Sequence, residues 1–227
     1  MSTIQNATEA TADSVRIMSR LAELRPTAAT ASAATVRLSE VAEAELAKKS
    51  SNKRPALDAT LATMKEYHIA AAAGNEANDI SHHVDCLYSS YSKAVDAYNG
   101  AAMAANISMA TAVEKRGIAE RKVVECNSGG LFEQTLETVG ATYIRVKTAA
   151  EVEMLRDTEV AVADANGATL MANDAMSAAS ETEAEKDKWT SVIACYDLDA
   201  IEAITDAIRK DARTACSTPT VARFDRR

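Results

Sequence analysis

The chain has 227 residues and a formal net charge of −8, from 25 Lys and Arg against 33 Asp and Glu. Ala fills 48 positions and Glu 19, both good helix formers, and only 7 Gly and 3 Pro occur, so the turn-rich make-up of an all-β or α/β fold is not expected. The acidic balance, without a basic block, argues against nucleic-acid binding, which rests on neutralising phosphates, and no apolar run reaches the 18 or more residues of a membrane span.

Hydrophobic residues make up 47% and charged residues 26%, a globular balance, but aromatics are only 4% and much of the apolar share is Ala methyl groups. A core of such small side chains is thin, and it suits long helices lying close together. No Pro-, Gly- or Ser-rich linker divides the chain, so residues 1–227 are expected to form a single elongated domain. The N-terminus carries no hydrophobic signal core, so Met1 is read either as a cytosolic start or as the first residue of a processed chain.

The first predicted helix spans about Thr3 to Ala47. Ile17, Leu21, Leu24, Ala28, Ala31, Thr35, Leu38 and Ala42 alternate steps of four and three, the spacing of a face that meets other helices. Pro26 falls within it, and a kink or short break is expected between Leu24 and Thr27. A second helix is expected from Pro55, with Leu57, Leu61, Met64, His68 and Ala71 on its inner face and an interruption at Gly74 and Asn75. Beyond it runs the most regular pattern: Ile80, Val84, Leu87, Tyr91, Ala94, Tyr98, Ala101, Ala105, Ser108 and Ala112. Such a seam predicts supercoiled antiparallel helices, approaching more closely towards Ala112 as the residues shrink.

Cys126 to Gly130 reads as a turn because adjacent glycines permit left-handed backbone angles. From Leu131 a third helix is expected, with Phe132, Leu136, Val139, Tyr143, Val146 and Ala150 at four-three spacing, then Met154 and Leu155, and a bend at Asn166 and Gly167. Ser180 or Thr182 would cap a last helix holding Trp189, Val192, Ile193, Tyr196, Ile201, Ile204 and Ile208. The basic tail after Pro219 is expected to be loosely held. These elements predict an all-α bundle of three to four long antiparallel helices, a rod.

The four cysteines, Cys86, Cys126, Cys195 and Cys216, form no C-x-x-C pair, so they are either structural disulfides or scattered thiols. Two cysteines on one helix, Cys86 with Cys126 or Cys195 with Cys216, would stand about 60 Å and 30 Å apart, far beyond bonding reach. With helices running up, down and up from the glycine turn, Cys86 lies about 65 Å below it, while the third helix descends about 75 Å and the last climbs about 20 Å to Cys195. Cys86 with Cys195 is therefore the preferred bridge. Cys126 with Cys216 follows by elimination, although straight helices leave them on the order of 25 Å apart in height. Bridges would place the chain in an oxidising compartment. Two N-x-[ST] sequons, at Asn6 and Asn106, would be glycosylation sites in a secreted chain.

No constellation suggests catalysis. His82 and His83 are adjacent and point apart on a helix, and His68 belongs to another stretch, so no metal site is expected. No G-x-S-x-G elbow supports a Ser/His/Asp triad. Glu181, Glu183 and Glu185 sit in a charged, solvated stretch, where general acid–base work would need a pocket to shift their pKa. Tyr88, Tyr91 and Tyr98 read as packing residues rather than a ligand platform. No enzyme and no cofactor is expected.

The Ala-rich stretches Thr27 to Thr35 (TAATASAAT) and Ala101 to Ala112 (AAMAANISMATA), the turn CNSGG at Cys126 to Gly130 and the four separated cysteines resemble the helical surface glycoproteins of African trypanosomes. Among these the glutamic acid/alanine-rich proteins of the insect-stage coat are the most similar. The resemblance implies an ectodomain anchored by glycosylphosphatidylinositol at the outer face of the plasma membrane, with signal peptide and anchor signal removed. It also implies kinship in fold with variant surface glycoprotein N-terminal domains and the trypanosome haptoglobin-haemoglobin receptor. Both processing signals are lacking in this sequence, and no ligand-binding residue carries over.

The expected function is thus structural: an acidic helical pillar packed beside neighbouring coat molecules, shielding the membrane by excluded volume. The alternative is a receptor of the same architecture that binds a host protein through one flank, which an exposed apolar patch would mark. A cytosolic helical adaptor is the third reading, separated from the other two by mass spectrometry under non-reducing conditions, where four free thiols would remove the argument for secretion.

Overall fold

The computed structural model describes residues 4, 6–48, 52–128 and 148–224, together with the backbone of residues 136–138 and 141–143. The protein is an all-α helical bundle. Three long helices, α1 (Ala7–Ala47), α2 (Arg54–Ser128) and α3 (Ala149–Ile193), are followed by α4 (Leu198–Cys216) and the single-turn-scale α5 (Pro219–Phe224). Between α2 and α3 lies an antiparallel pair of short strands, β1 (Leu136–Thr138) and β2 (Ala141–Tyr143), with Leu136 opposite Tyr143. None of the described helices is long and apolar enough to cross a membrane.

In α1 the four-three face is the buried one: Ile17, Leu21, Leu24, Ala28, Ala31, Thr35 and Ala42 are buried and Leu38 half-buried. The expected break at Pro26 does not occur, and α1 runs through it. Pro26 is on the exposed side between buried Leu24 and Ala28, so packing on either side holds the turn that the missing N–H weakens. Asn6 caps the start, its Oδ1 accepting from the Glu9 N–H at 3.0 Å.

Helix α2 also runs unbroken through Gly74 and Asn75. Gly74 is a close approach: a Cβ there would lie 2.7 Å from Cβ of Ala212 on α4. All ten positions of the Ile80 to Ala112 seam are buried or half-buried. The earlier part of α2 requires a correction, because Leu57 and Leu61 are exposed and the buried face is Ala56, Thr60, Thr63 and Ala70, rotated by one residue. Small residues win this face because they let the neighbouring backbone come close. Thr60 and Thr63 return their hydroxyls to the carbonyls four residues earlier, as Thr35 and Thr158 do, so each enters the core as a small, satisfied side chain.

Three further expectations are corrected. The third helix does not begin at Leu131: Leu136 and Tyr143 are strand residues and α3 starts at Ala149, opened by a reciprocal cap in which Glu151 N–H donates to Thr148 Oγ1 and Thr148 N–H donates to Glu151 Oε2. Gly129, Gly130, Phe132, Val139 and Val146 lie outside the described residues. The last helix does not begin at Ser180 or Thr182, whose hydroxyl bonds back within α3; the break comes at residues 194–197, and Asp197 caps α4 by accepting from Ala200 N–H at 3.1 Å. Finally, Pro219–Phe224 is helical, with Val221 buried and Thr220 bonded to Ser39 of α1 at 2.8 Å, and residues 225–227 of the expected loose tail lie outside the described residues.

By its contacts the chain divides into two compact units, Met1–Ser92 with Lys188–Arg227, and Lys93–Asp187. In the first, α1, α2, the last turn of α3 and α4 bring together Ile17, Leu21, Leu24, Ala73, Ala77, Val84, Leu87, Val192, Ile201 and Ile208. In the second, α2 and α3 pack through Ala112, Ala168 and Ala172, and Cys126 Sγ lies 3.0 Å from Thr158 Oγ1.

Candidate functional site

Among the described residues, each unit has a place where polar side chains gather beside a cleft. In the first unit Asp13, on the flank of the α1 seam, accepts from Arg16 Nη2 at 2.5 Å on Oδ1 and from the Tyr196 hydroxyl at 2.9 Å on Oδ2, where His83 Nε2 also sits at 2.9 Å. Asp13 comes from α1, His83 from α2 and Tyr196 from the corner between α3 and α4, so a single carboxylate ties three elements. Burial works to raise the Asp13 pKa, but the hydrogen bonds from Arg16, His83 and Tyr196 together carry it below the ordinary carboxylate value. Burial first, and then the bond to Asp13, pushes the Tyr196 phenol well above its ordinary range.

Beside this network Arg20 of α1 grips Glu76 of α2 through two bonds, Nε to Oε1 at 2.5 Å and Nη2 to Oε2 at 2.7 Å. Hydrogen bonding to Arg20 lowers the Glu76 pKa. Asp13, Arg16, Arg20, Glu76 and His83 line an open cleft of about 930 Å³ with Asp79 and Ile80. Four of the charges on its wall are paired, Arg16 with Asp13 and Arg20 with Glu76, and Glu9 and Asp79 add further negative charge to the lining. The Asp13 carboxylate, with three of its roughly four acceptor sites taken, is an anchor that ties these helices together.

In the second unit a smaller groove of about 400 Å³ runs between α2 and α3, lined by Ile107, Thr111, Lys115, Asp164, Gly167 and Met171. Lys115 reaches Asp164 at 3.4 Å and Lys122 reaches Asp157 at 3.5 Å, both across the two helices.

The residues picked out by sequence are dispersed. Cys86 and Cys216 are exposed, Cys195 half-buried and Cys126 buried, all as free thiols, and neither the Cys86–Cys195 nor the Cys126–Cys216 bridge is formed in this structure. Cys195 Sγ donates to the carbonyls of Ser191 and Ala7, and Cys86 Sγ lies 3.8 Å from His82 Nε2. Asn6 and Asn106 are both exposed. Glu181, Glu183 and Glu185 are exposed as expected. Tyr91 and Tyr98 are half-buried, and Lys186 stands over the Tyr98 ring at 3.9 Å; Tyr88, read as a packing residue, is instead 52% exposed and only leans on Tyr91. Among the described residues no group of three or more His, Cys, Asp or Glu side chains converges as metal ligands would.

Sequence reading missed the Asp13 network. Its signal was faint: His83 immediately precedes the seam residue Val84, and Asp13 lies four residues before Ile17, the first residue of the α1 face, which places each polar group near the edge of a buried face. In comparisons with known proteins, no protein-family model, no curated protein and no solved structure matches the chain.

Proposed function

We propose that this chain is a structural cell-surface coat protein, held at the outer face of the plasma membrane by a glycosylphosphatidylinositol anchor, whose work is to occupy space beside neighbouring copies. The observation that carries the reading is the run of small residues between α2 and α3 in the Lys93–Asp187 unit, where Ala105, Ala112, Ala119, Ala165, Ala168 and Ala172 are buried. Small side chains let two helices approach closely, so the unit is narrow for its length, which favours dense side-by-side packing. The acidic balance and the resemblance of the Ala-rich stretches to trypanosome surface glycoproteins support the same reading.

The test uses cells of the native source. Surface labelling, release by phosphatidylinositol-specific phospholipase C and an intact mass above that of the bare chain are expected. A protein that stays inside the cell with the bare mass and four free thiols would overturn the reading in favour of a cytosolic adaptor.

One observation favours the receptor alternative. Leu57, Leu61 and Met64 recur on one side of α2, and the two leucines are 57% and 60% exposed, an apolar stripe able to meet a host protein. Leu57→Lys with Leu61→Lys would abolish capture of such a protein while leaving a coat role intact.

A further inference from the structure

The Lys93–Asp187 unit turns its large apolar side chains outward. Its helix contact is made of alanines, while Ile107, Val160 and Met171 are 58%, 56% and 71% exposed and Ile118 is 37% exposed. These four share one flank. The Lys115–Asp164 and Lys122–Asp157 pairs fix the antiparallel register of α2 and α3. Counting along each helix from them sets Ile107 level with Met171, with which it shares the groove, and Ile118 level with Val160. The flank is thus a ladder in which apolar rungs alternate with rungs carrying Lys on α2 and Asp on α3.

We propose that this flank is the interface between two copies of this chain, docked in parallel about a two-fold axis that runs along the α2–α3 hairpin. Such an axis lays α2 of each copy over α3 of the other at the same level. Lys115 then meets Asp164 of the second copy, Lys122 meets its Asp157, and Ile107 and Ile118 meet its Met171 and Val160. The antiparallel arrangement would set α2 against α2, opposing lysines to lysines and aspartates to aspartates, and like charges across an interface are strongly unfavourable. The area suffices: two helices about 50 Å long form a face some 15 Å wide, roughly 750 Å² per copy, close to the ~800 Å² of a standard stable interface. The opposite flank, with Met109 and Val113, also carries the exposed sequon residue Asn106, so a glycan there leaves the proposed interface clear. The inference does not depend on the coat reading, although a parallel pair is one that two molecules held at the same end can form.

The test is sedimentation velocity of the full chain between about 1 and 100 µM, with circular dichroism confirming helicity of each variant. The wild-type chain is expected to dimerise, I107E/M171E to weaken association by at least tenfold, and M109E/V113E on the other flank to leave it unchanged. The charge exchange K115D/K122D/D157K/D164K keeps both pairs within each chain. It is expected to self-associate like the wild type yet to form no mixed dimers with it, because mixing sets lysine against lysine. A wild-type chain that stays monomeric, equal loss in both flank variants, or ready formation of mixed dimers would each overturn the proposal. None of these outcomes bears on surface release by phospholipase, so the coat reading fails or stands separately.

Discussion

The Asp13 carboxylate accepts from Arg16, His83 and Tyr196 and is largely shielded from water, so its charge is held by its neighbours. Asp13→Asn removes the charge but leaves the three donors, and is expected to cost about 1–3 kcal/mol at neutral pH in urea unfolding. Because the folded Asp13 pKa lies below its unfolded value near 3.9, the stability it supplies is fully present above about pH 4 and is lost as pH falls through the folded value. The gap between wild type and Asp13→Asn should therefore narrow under acid titration; a gap constant from neutral to strongly acid pH would show that the carboxylate's charge is not what matters. Gly74 offers a second single-residue test. Ala is the better helix former by about 1 kcal/mol, yet its methyl would sit 2.7 Å from the Cβ of Ala212, which cannot swing aside. Gly74→Ala is expected to lose about 1–3 kcal/mol net, read as a fall in denaturation midpoint, and a stabilised variant would mean that α2 and α4 are free to part.

At the scale of the element, the two possible faces at the start of α2 have the same period and differ by one residue. Leu57, Leu61, Met64 and His68 form one, and Ala56, Thr60, Thr63, Tyr67 and Ala70 the other. Choosing by bulk selects the leucines, but the helices choose by closeness, and the smaller side chains go inside. Leu61→Lys should accordingly stay within about 0.5 kcal/mol of wild type, while Ala70→Leu should cost about 1–3 kcal/mol through overpacking, both by thermal unfolding. The reverse ranking would restore the leucine face to the core. The start of α3 had its own local signal, Thr148 followed three residues later by Glu151, but an apolar four-three spacing continued upstream from it to Leu131 and masked the boundary. A spacing of four and three is available to any chain segment. Only a segment with a neighbour to pack on has reason to adopt it.

For the whole molecule, the two units differ in what their cores contain. One encloses Leu21, Leu24, Leu87, Val192, Ile201 and Ile208, and the other closes over alanines. Less buried apolar area means less stabilisation of the second, so amides of α2 and α3 within Lys93–Asp187 are expected to exchange at least about tenfold faster than those around Leu21 of α1 in dilute protein. Equal protection would show that the units open together. The sequence by itself determined the helical class, the buried face of α1 and the whole Ile80 to Ala112 seam, because composition and periodicity act along the chain and a helix needs only its own residues to define a face. What the tertiary structure alone decided was which of two equivalent faces turned inward at Leu57 and Leu61, that α1 and α2 would run on through Pro26 and Gly74, and that Asp13, His83 and Tyr196 would meet. Those outcomes depend on a surface supplied by distant residues, such as Ala212 or Tyr196, and no local spacing encodes how closely that surface comes.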